Sequence, residues 1–336
     1  MTQEPFTILQ MAYGEMAYPV LDGLSSDPRF TVLAIVTPEA GDFLYRADEN
    51  LPQEILAEDR GIEIIRTGGL KTLHNEIARV GADAVVIASF NKIIPADTLG
   101  LTRFTNIHLG ELPRQRGRAN VNWAMINQEP YICVSIHEAV PELDAGDIIH
   151  QFNVPIGADD GVGAVYERIN ATLGRELPDI YFDYLSGKTT PNPQDGAGAT
   201  YYGTRLPQDG LIDWRHDRQS IATLIRALGK PYRGAYTYFD GKKLTIWNAR
   251  IEDDARVFEG GVPGRIASHK NGTGIEVLTG DGPLLLTDVE TDAFQGDPAA
   301  IIRSSRVTLG LNPEDLLAKL IDLEQKFESL LKRRDS

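Results

Sequence analysis

The sequence predicts an α/β domain built on a mostly parallel sheet, followed by a smaller, mostly β domain and a terminal helix. In the first third of the chain, short apolar runs alternate with segments of helical period, which is typical of β-α-β units. Between 186 and 200 the composition changes to a run rich in Gly, Pro and Thr, which is typical of a linker. Beyond it, short alternating runs separated by Gly turns such as Asp240-Gly241 indicate a small antiparallel barrel or sandwich.

The elements of the first domain follow from its hydrophobic pattern. The apolar runs are continuous, which favours strands that are covered on both faces of the sheet. Segments of helical period predict helices over 17–24 and 70–79. The last strand places Ser135 and His137 on one face, because successive side chains of a strand alternate. The predicted strands cover 6–11, 30–36, 62–65, 84–88, 105–108 and 134–140.

The second domain is predicted to be mostly β, with one helix over 221–228. Its predicted strands cover 235–239, 244–251, 264–267, 274–278 and 283–288. We expect a first domain over 1–190, a linker over 191–202, a second domain over 203–310 and a terminal helix over 311–336.

The terminal helix has the clearest boundary signals. Asn312 is suited to the N-cap position and Pro313 to the first turn, and the helix should run to about residue 332. Its apolar residues are spaced four, three, four and three apart, which predicts a seam of coiled-coil type. We expect this seam either to dock on its own chain or to form a homodimer contact. The seam consists of Leu316, Leu320, Leu323, Phe327 and Leu330.

Composition excludes several classes of protein. The chain has 336 residues and a formal net charge of −15, which argues against a protein that coats nucleic acid. A single cysteine, Cys133, rules out an internal disulfide framework and any multi-cysteine zinc or iron–sulfur site. No window approaches the roughly 20 apolar residues of a membrane span, and the amino terminus is unlike a signal peptide. We therefore expect a soluble, cytoplasmic protein without a membrane partner or a metal.

Three polar residues are candidates for chemistry. Asn106 and His108 share one face at the end of a predicted strand, because residues two apart project to the same side. Open α/β sheets bind ligands at the carboxyl ends of their strands. Asp144 lies in a later loop with a glycine, and a carboxylate against His108 would orient the imidazole and stabilise its protonated form. Spacing alone leaves open whether this set is catalytic or a hydrogen-bond network of the core.

The motifs around these residues resemble a known signature. The order N-x-H, then L-P-x-x-R-G, over 106–119, then L-D-x-G-D over 143–147, closely resembles that of the folate-dependent formyltransferases. That family includes glycinamide ribonucleotide, methionyl-tRNA and nucleotide-sugar formyltransferases. Most of 1–310 is covered by the resemblance, and the terminal helix is not. It implies a Rossmann-like formyltransferase domain and an open β-barrel second domain of OB-like type.

The resemblance also implies roles for individual residues. Asn106, His108 and Asp144 would form the catalytic set, with 10-formyltetrahydrofolate as the donor and no metal. As an acceptor amine attacks the formyl carbon, the Asn106 amide or a protonated His108 would face the carbonyl oxygen. His108 would mediate proton transfer directly or through water, and Cys133 would be a buried, inert thiol. The folate pocket would be lined by Phe90, Asn91, Ile93, Ile94, Pro95, Val140 and Asp144.

The acceptor differs among the relatives. A tRNA enzyme must neutralise several phosphates, but the segment over 37–50 is acidic on balance and the second domain has no Lys and Arg run, so nucleic acid is not the expected acceptor. A nucleotide-linked amino sugar carries one diphosphate, which two arginines can hold, and 116–123 is more similar to the sugar-formylating relatives. The Gly110-Glu111 pair departs from their usual Ser-Leu. The predicted acceptor-binding residues are Tyr13, Gly14, Met16, Arg114, Arg116 and Arg118.

Other acceptors and a non-enzymatic role stay open. Hydroxylated ornithine would leave the folate half of the site unchanged, and methionyl-tRNA is a third acceptor used within the family. A non-catalytic folate-binding relative is the remaining alternative, although the presence of all three catalytic-type residues favours an enzyme.

Overall fold

A computed structural model describes residues 4–37, 51–67, 69–90, 92–254, 256–270, 272–311 and 313–334. The chain divides into two compact units, Met1–Arg205 and Leu206–Ser336. In the part of the chain so described, no helix combines the length and the apolar character that crossing a bilayer requires.

The first unit is built on a mixed sheet with mostly parallel strands. Its strands are β1 (Phe6–Ala12), β2 (Phe30–Thr37), β3 (Glu63–Arg66), β4 (Ala84–Ala88), β5 (Arg103–His108), β6 (Arg116–Gly117), β7 (Tyr131–Glu138), β8 (Ile148–Pro155) and β9 (Tyr201–Tyr202). Seven of them form the sheet in the order β3-β2-β1-β4-β5-β7-β8. The first five in that order run parallel, whereas β7 and β8 are antiparallel to their neighbours. The mostly parallel, Rossmann-like sheet that the sequence predicts is therefore confirmed.

Helices cover this sheet, and all five residues of β4 are buried. The helices are α1 (Ala17–Ser26), α2 (Pro52–Asp59), α3 (Leu70–Val80), α4 (Ala96–Leu99), α5 (Asn120–Ile126) and α6 (Val162–Leu185). Helix α6 packs against α1 so closely that a Cβ at Gly23 would lie 2.8 Å from the Gly174 carbonyl oxygen. The absence of a side chain at Gly23 therefore allows this close approach.

The second unit is a separate antiparallel structure with its own core. Its strands are β10 (Ala235–Phe239), β11 (Lys242–Arg250), β12 (Ile266–Lys270), β13 (Gly274–Leu278), β14 (Pro283–Thr291) and β15 (Phe294–Gly296), and its helices are α7 (Arg218–Ala227) and α8 (Pro313–Arg334). The sheet order is β10-β11-β14-β13-β12, with β15 beside β14. Trp214, Ile225, Leu244 and Leu286 belong to one buried cluster. A mostly β second domain followed by a helix is confirmed.

Residues 191–202, predicted as a linker, are ordered against the first unit. The backbone N–H and C=O of Asn192 pair with those of Ile148, and β9 pairs in parallel with β6. This segment therefore passes beside β6 and the first residue of β8.

Helix α8 exposes its predicted seam. Leu316, Leu320, Leu323 and Phe327 are between 43% and 64% exposed. The predicted N-cap, Asn312, lies outside the described residues.

Candidate active site

The pairing of β5 with β7 positions two of the predicted catalytic residues. In this antiparallel register Asn106 is opposite His137, and His108 is opposite Ser135. Because side chains alternate along a strand, Asn106 and His108 project from the same face of the sheet. Both lie at the carboxyl end of β5, where the strand leaves the sheet.

The third residue, Asp144, is carried by the loop between β7 and β8. Its φ of 52° lies in the left-handed region, which a residue with a side chain adopts only where its surroundings hold it. A Cβ at Gly146 would overlap the carbonyl oxygen of Glu138, so only glycine allows the loop to pass this close to the end of β7. The glycine two residues after Asp144 in the L-D-x-G-D motif is therefore required because no side chain fits at that position.

The three side chains meet around one carboxylate. The Asp144 Oδ1 atom accepts a long hydrogen bond of 3.4 Å from Asn106 Nδ2. Its Oδ2 atom lies 3.6 Å from His108 Nδ1 and accepts a 2.9 Å hydrogen bond from the Gly117 N–H. The separation from His108 exceeds a hydrogen bond, so the carboxylate and the imidazole are neighbours without a direct hydrogen bond. The structure thus brings Asn106, His108 and Asp144 together.

Backbone contacts fix the orientation of His108. Its Nε2 atom lies 2.8 Å from the Gln115 carbonyl oxygen, which can only accept, so Nε2 carries a proton and donates. Asn120 donates to the same carbonyl from its Nδ2 atom. A Cβ at position 110 would lie 2.6 Å from His108 Nε2, so Gly110 provides the space for this arrangement. The Nδ1 atom of His108 therefore faces Asp144 without a proton when the ring is neutral.

His137 is a part of this site that the sequence did not assign. Its Nδ1 atom donates to the Glu138 carbonyl oxygen at 2.7 Å, so Nε2 accepts from Asn106 Nδ2 at 3.1 Å. Burial, and then the neighbouring His108, lower the pKa of His137 to about 4, so its ring is neutral at neutral pH. The alternation of β7 placed Ser135 and His137 on one face, but only the register of the β5–β7 pair brings His137 to Asn106.

The predicted folate-pocket residues differ in exposure. Ile93 is 62% exposed and Val140 is also exposed, whereas Ile94 is 6% exposed and belongs to the core. Phe90 is partly buried against the same hydrophobic cluster, and Pro95 precedes α4. Asn91 lies outside the described residues. Of these three aliphatic residues, Ile93 and Val140 are therefore accessible at the surface and Ile94 is not.

The turn at the start of α1 holds three of the predicted acceptor residues. Met16 is buried in the core, and Gly14 is exposed. Burial raises the pKa of Tyr13 to about 12 against the opposing effect of the Arg118 charge, which indicates that this phenol and this guanidinium are neighbours. Tyr13, Gly14 and Arg118 therefore remain candidates for contact with an acceptor, and Met16 supports the turn from inside.

The three predicted arginines have different surroundings. Arg114 is exposed and lies 3.3 Å from a Glu111 carboxylate oxygen. The Arg116 side chain is only 3% exposed, and its Nη2 atom donates to Gln194 Oε1 at 2.9 Å. The Arg116 side chain is therefore buried, whereas Arg114 and Arg118 are exposed residues.

Potential metal ligands and the single cysteine are two further features of the described residues. The described residues contain no group of three or more His, Cys, Asp or Glu side chains that could hold a metal ion. Cys133 is buried, as the sequence predicts, and burial raises the pKa of its thiol to about 11.

Each of the two units contains a match to a known protein family. Residues 11–180 match the family model "Formyl transferase", and residues 206–296 match "Formyl transferase, C-terminal domain". The methionyl-tRNA formyltransferase of Streptococcus pyogenes serotype M1 is 31% identical over 288 residues, which cover 84% of this chain and 90% of that protein. Helix α8 lies beyond both family models.

Solved structures show the same fold. A 4-N formyltransferase from Francisella tularensis aligns with 20% identity and a TM-score of 0.57, covering 72% of this chain and 96% of that chain. HypX from Aquifex aeolicus in complex with tetrahydrofolic acid aligns with 15% identity and a TM-score of 0.62, covering 89% of this chain. This chain spans about half of the HypX chain, 47% of it. From the two matched domains and the extent of the sequence similarity, we conclude that the chain belongs to the formyl transferase family.

Proposed function

We propose that this protein transfers a formyl group from 10-formyltetrahydrofolate to the primary amine of a nucleotide-linked amino sugar. The observation that carries the proposal is the meeting of Asn106, His108 and Asp144 around one carboxylate at the carboxyl end of β5. An amide donor, an imidazole and a carboxylate can together stabilise the oxyanion and move the protons of acyl transfer to an amine.

The hydrogen bonds assign a task to each side chain. One N–H of the Asn106 amide is used by His137, and the other makes only the long contact to Asp144, so this second N–H is the one that can donate to a carbonyl oxygen that becomes negative. The Nδ1 atom of His108 is available to take a proton from the amine, directly or through water, and to return a proton to the folate nitrogen as its bond to the formyl carbon breaks. Asp144 stabilises the positive charge that His108 then carries.

The residues around this set are compatible with a folate. When bound, 10-formyltetrahydrofolate supplies the activated one-carbon group. Exposed Ile93 and Val140 offer apolar surface for a flat ring. HypX, which shares this fold, forms a complex with tetrahydrofolic acid, and this supports a folate as the donor.

The charges near the site favour an acceptor with few phosphates. Arg114 and Arg118 are the exposed cations of the predicted acceptor group, and Glu111 and Glu142 lie beside Arg114 and Arg116. Two cations suit a diphosphate, whereas a tRNA backbone needs many more. A net charge of −15 agrees with the smaller anion.

Methionyl-tRNA is the second candidate, because the streptococcal relatives that match both units carry that activity in their names. A transfer assay with 10-formyltetrahydrofolate tests both acceptors, together with hydroxyornithine. Turnover with nucleotide-linked 3-amino or 4-amino sugars and none with methionyl-tRNA would support the proposal. Turnover with methionyl-tRNA alone would replace it, and tight folate binding without turnover on any amine would indicate a non-catalytic relative.

We also propose that α8 pairs with α8 of a second copy of this chain. Its exposed seam is flanked by Lys319 on one side and Glu324 on the other. Lys319 directly precedes the core residue Leu320, and Glu324 directly follows the core residue Leu323. In a parallel coiled coil, residues at these two positions, five apart in sequence, lie opposite one another on the two helices. Lys319 would therefore face Glu324 of the second copy twice, by symmetry, whereas an antiparallel pair would bring like charges together.

A further inference from the structure

Gln194 lies in the segment that the sequence predicts as a linker, and it reaches the loop that carries Asp144. Its Nε2 atom donates to the Asp144 carbonyl oxygen at 2.9 Å and to the Gly146 carbonyl oxygen at 2.6 Å. Because both partners can only accept, the amide nitrogen must face them, and the orientation of the side chain is fixed.

The opposite end of the Gln194 amide is held from β6. Its Oε1 atom accepts a 2.9 Å hydrogen bond from Nη2 of Arg116, whose side chain is 3% exposed. Both N–H groups and the carbonyl oxygen of the Gln194 amide are therefore engaged inside the protein. Because both N–H groups are used, the Gln194 side chain has no donor free for a ligand, and its contacts are those of a structural support.

Two successive residues of β6 thus hold Asp144 at different atoms. The Gly117 N–H binds the Asp144 carboxylate directly at 2.9 Å. Arg116 holds the Asp144 backbone through Gln194. This accounts for an aspartate with a φ of 52°, a sparsely populated conformation that persists only where its surroundings hold it.

We propose that Gln194, locked by Arg116, is a positioning residue that keeps the Asp144 carboxylate within reach of His108 and Asn106. The proposal rests on the formyl transfer function proposed above. It also gives Arg116 a role other than contact with a phosphate of the acceptor.

Gln194→Glu tests this role because it preserves the shape of the side chain and its acceptor for Arg116. It places an oxygen where Nε2 now donates to two carbonyl oxygens, so the loop should move. We expect kcat to fall about 10- to 100-fold with little change in the KM of either substrate. Hydrogen exchange of residues 142–147 should be faster at an unchanged melting temperature.

A double-mutant cycle separates positioning from general structure. If Gln194 acts through Asp144, Gln194→Glu should cost almost nothing further in an Asp144→Ala background. The matched control is Gln151→Glu, because Gln151 Nε2 also donates to a carbonyl oxygen, that of Leu112, at 3.1 Å, without touching the Asp144 loop. Gln151→Glu should lower kcat by the same factor in both backgrounds, and a loss that is still measurable in the Asp144→Ala background shows that the assay has not reached its floor.

The outcomes are distinguishable. Equal losses from Gln194→Glu in both backgrounds, or unchanged exchange of residues 142–147, would overturn the positioning role. Absence of formyl transfer in the unmodified protein would instead reject the proposed function, and the exchange measurement would still report whether Gln194 holds the loop.

Discussion

At the scale of single residues, the orientation of the side chains in the site depends on backbone carbonyl oxygens, which can accept a hydrogen bond but cannot donate one. Carbonyl oxygens fix the protonated nitrogens of both His108 and His137, so the two rings present opposite nitrogens to Asn106 and Asp144. Motifs predicted Asn106, His108 and Asp144 because their spacing is characteristic. Gln194 lies in a Gly- and Pro-rich segment without periodicity, so the return of that segment to β6 could not be predicted from sequence.

Gly110→Ala should disturb His108 without unfolding the protein. The new Cβ would lie 2.6 Å from His108 Nε2 and 2.5 Å from the Gln115 carbonyl oxygen, so the ring must move. We expect kcat to fall about 10- to 100-fold, the cost of misplacing a catalytic group by about 1 Å. Gly203→Ala is the control, since a Cβ there meets no atom within 4 Å. Equal activity of the two variants would show that Gly110 is not needed for this geometry.

The lowered pKa of His137 should make stability depend on pH. Its pKa is about 4 in the folded protein and 6.5 for an ordinary histidine, so the unfolded chain takes up the proton first as the pH falls. The stability that the neutral His137 ring contributes to the folded protein is fully present above about pH 6.5 and is lost as the pH falls towards 4. Urea unfolding at pH 7.5 and at pH 5 measures how much the free energy of unfolding falls between these two values. This fall should be about 1–3 kcal/mol smaller in His137→Gln than in the unmodified protein. Equal losses would contradict this assignment.

At the scale of elements, the parallel strands were predicted well because a strand buried on both faces gives a continuous apolar run. Helix α6 was not predicted, although Val165, Ile169, Leu173 and Leu177 recur every four residues and are buried. That signal was present in the sequence. The short β6–β9 pair had no such signal, because two-residue strands show no periodicity and depend on tertiary contacts.

The contact between α1 and α6 predicts an asymmetry between two glycines. Gly23→Ala would place a Cβ 2.8 Å from the Gly174 carbonyl oxygen, whereas a Cβ at Gly174 meets no atom closer than 3.7 Å. We expect Gly23→Ala to lower the free energy of unfolding by about 1–3 kcal/mol. Gly174→Ala should be neutral or stabilising, because alanine is the better helix former. Denaturant titration measures both, and equal effects would contradict the close packing.

The pairing of α8 can be tested by exchanging charges. Lys319→Glu and Glu324→Lys should each place like charges opposite one another and weaken the dimer, and the double variant should restore it. Sedimentation equilibrium measures the dissociation constant. Gln325→Glu is the control, because position 325 faces away from the seam. A monomeric unmodified protein, or a double variant no better than the single ones, would reject this pairing.

At the scale of the whole molecule, net charge bears on the acceptor. A chain with a net charge of −15 repels long polyanions on average. We therefore expect the KM for the preferred acceptor to rise less than about tenfold between 50 and 200 mM salt, as suits a ligand with few phosphates. A rise of about 10³-fold or more would indicate many phosphate contacts and favour tRNA.

The most direct test of formyl transfer by this site is a single-turnover measurement with 10-formyltetrahydrofolate and an accepted amine. Asn106→Ala, His108→Ala and Asp144→Ala should each slow the transfer by roughly 10²- to 10⁴-fold, while unfolding of the variants stays close to that of the unmodified protein. Near-normal transfer in the His108→Ala variant would contradict the account.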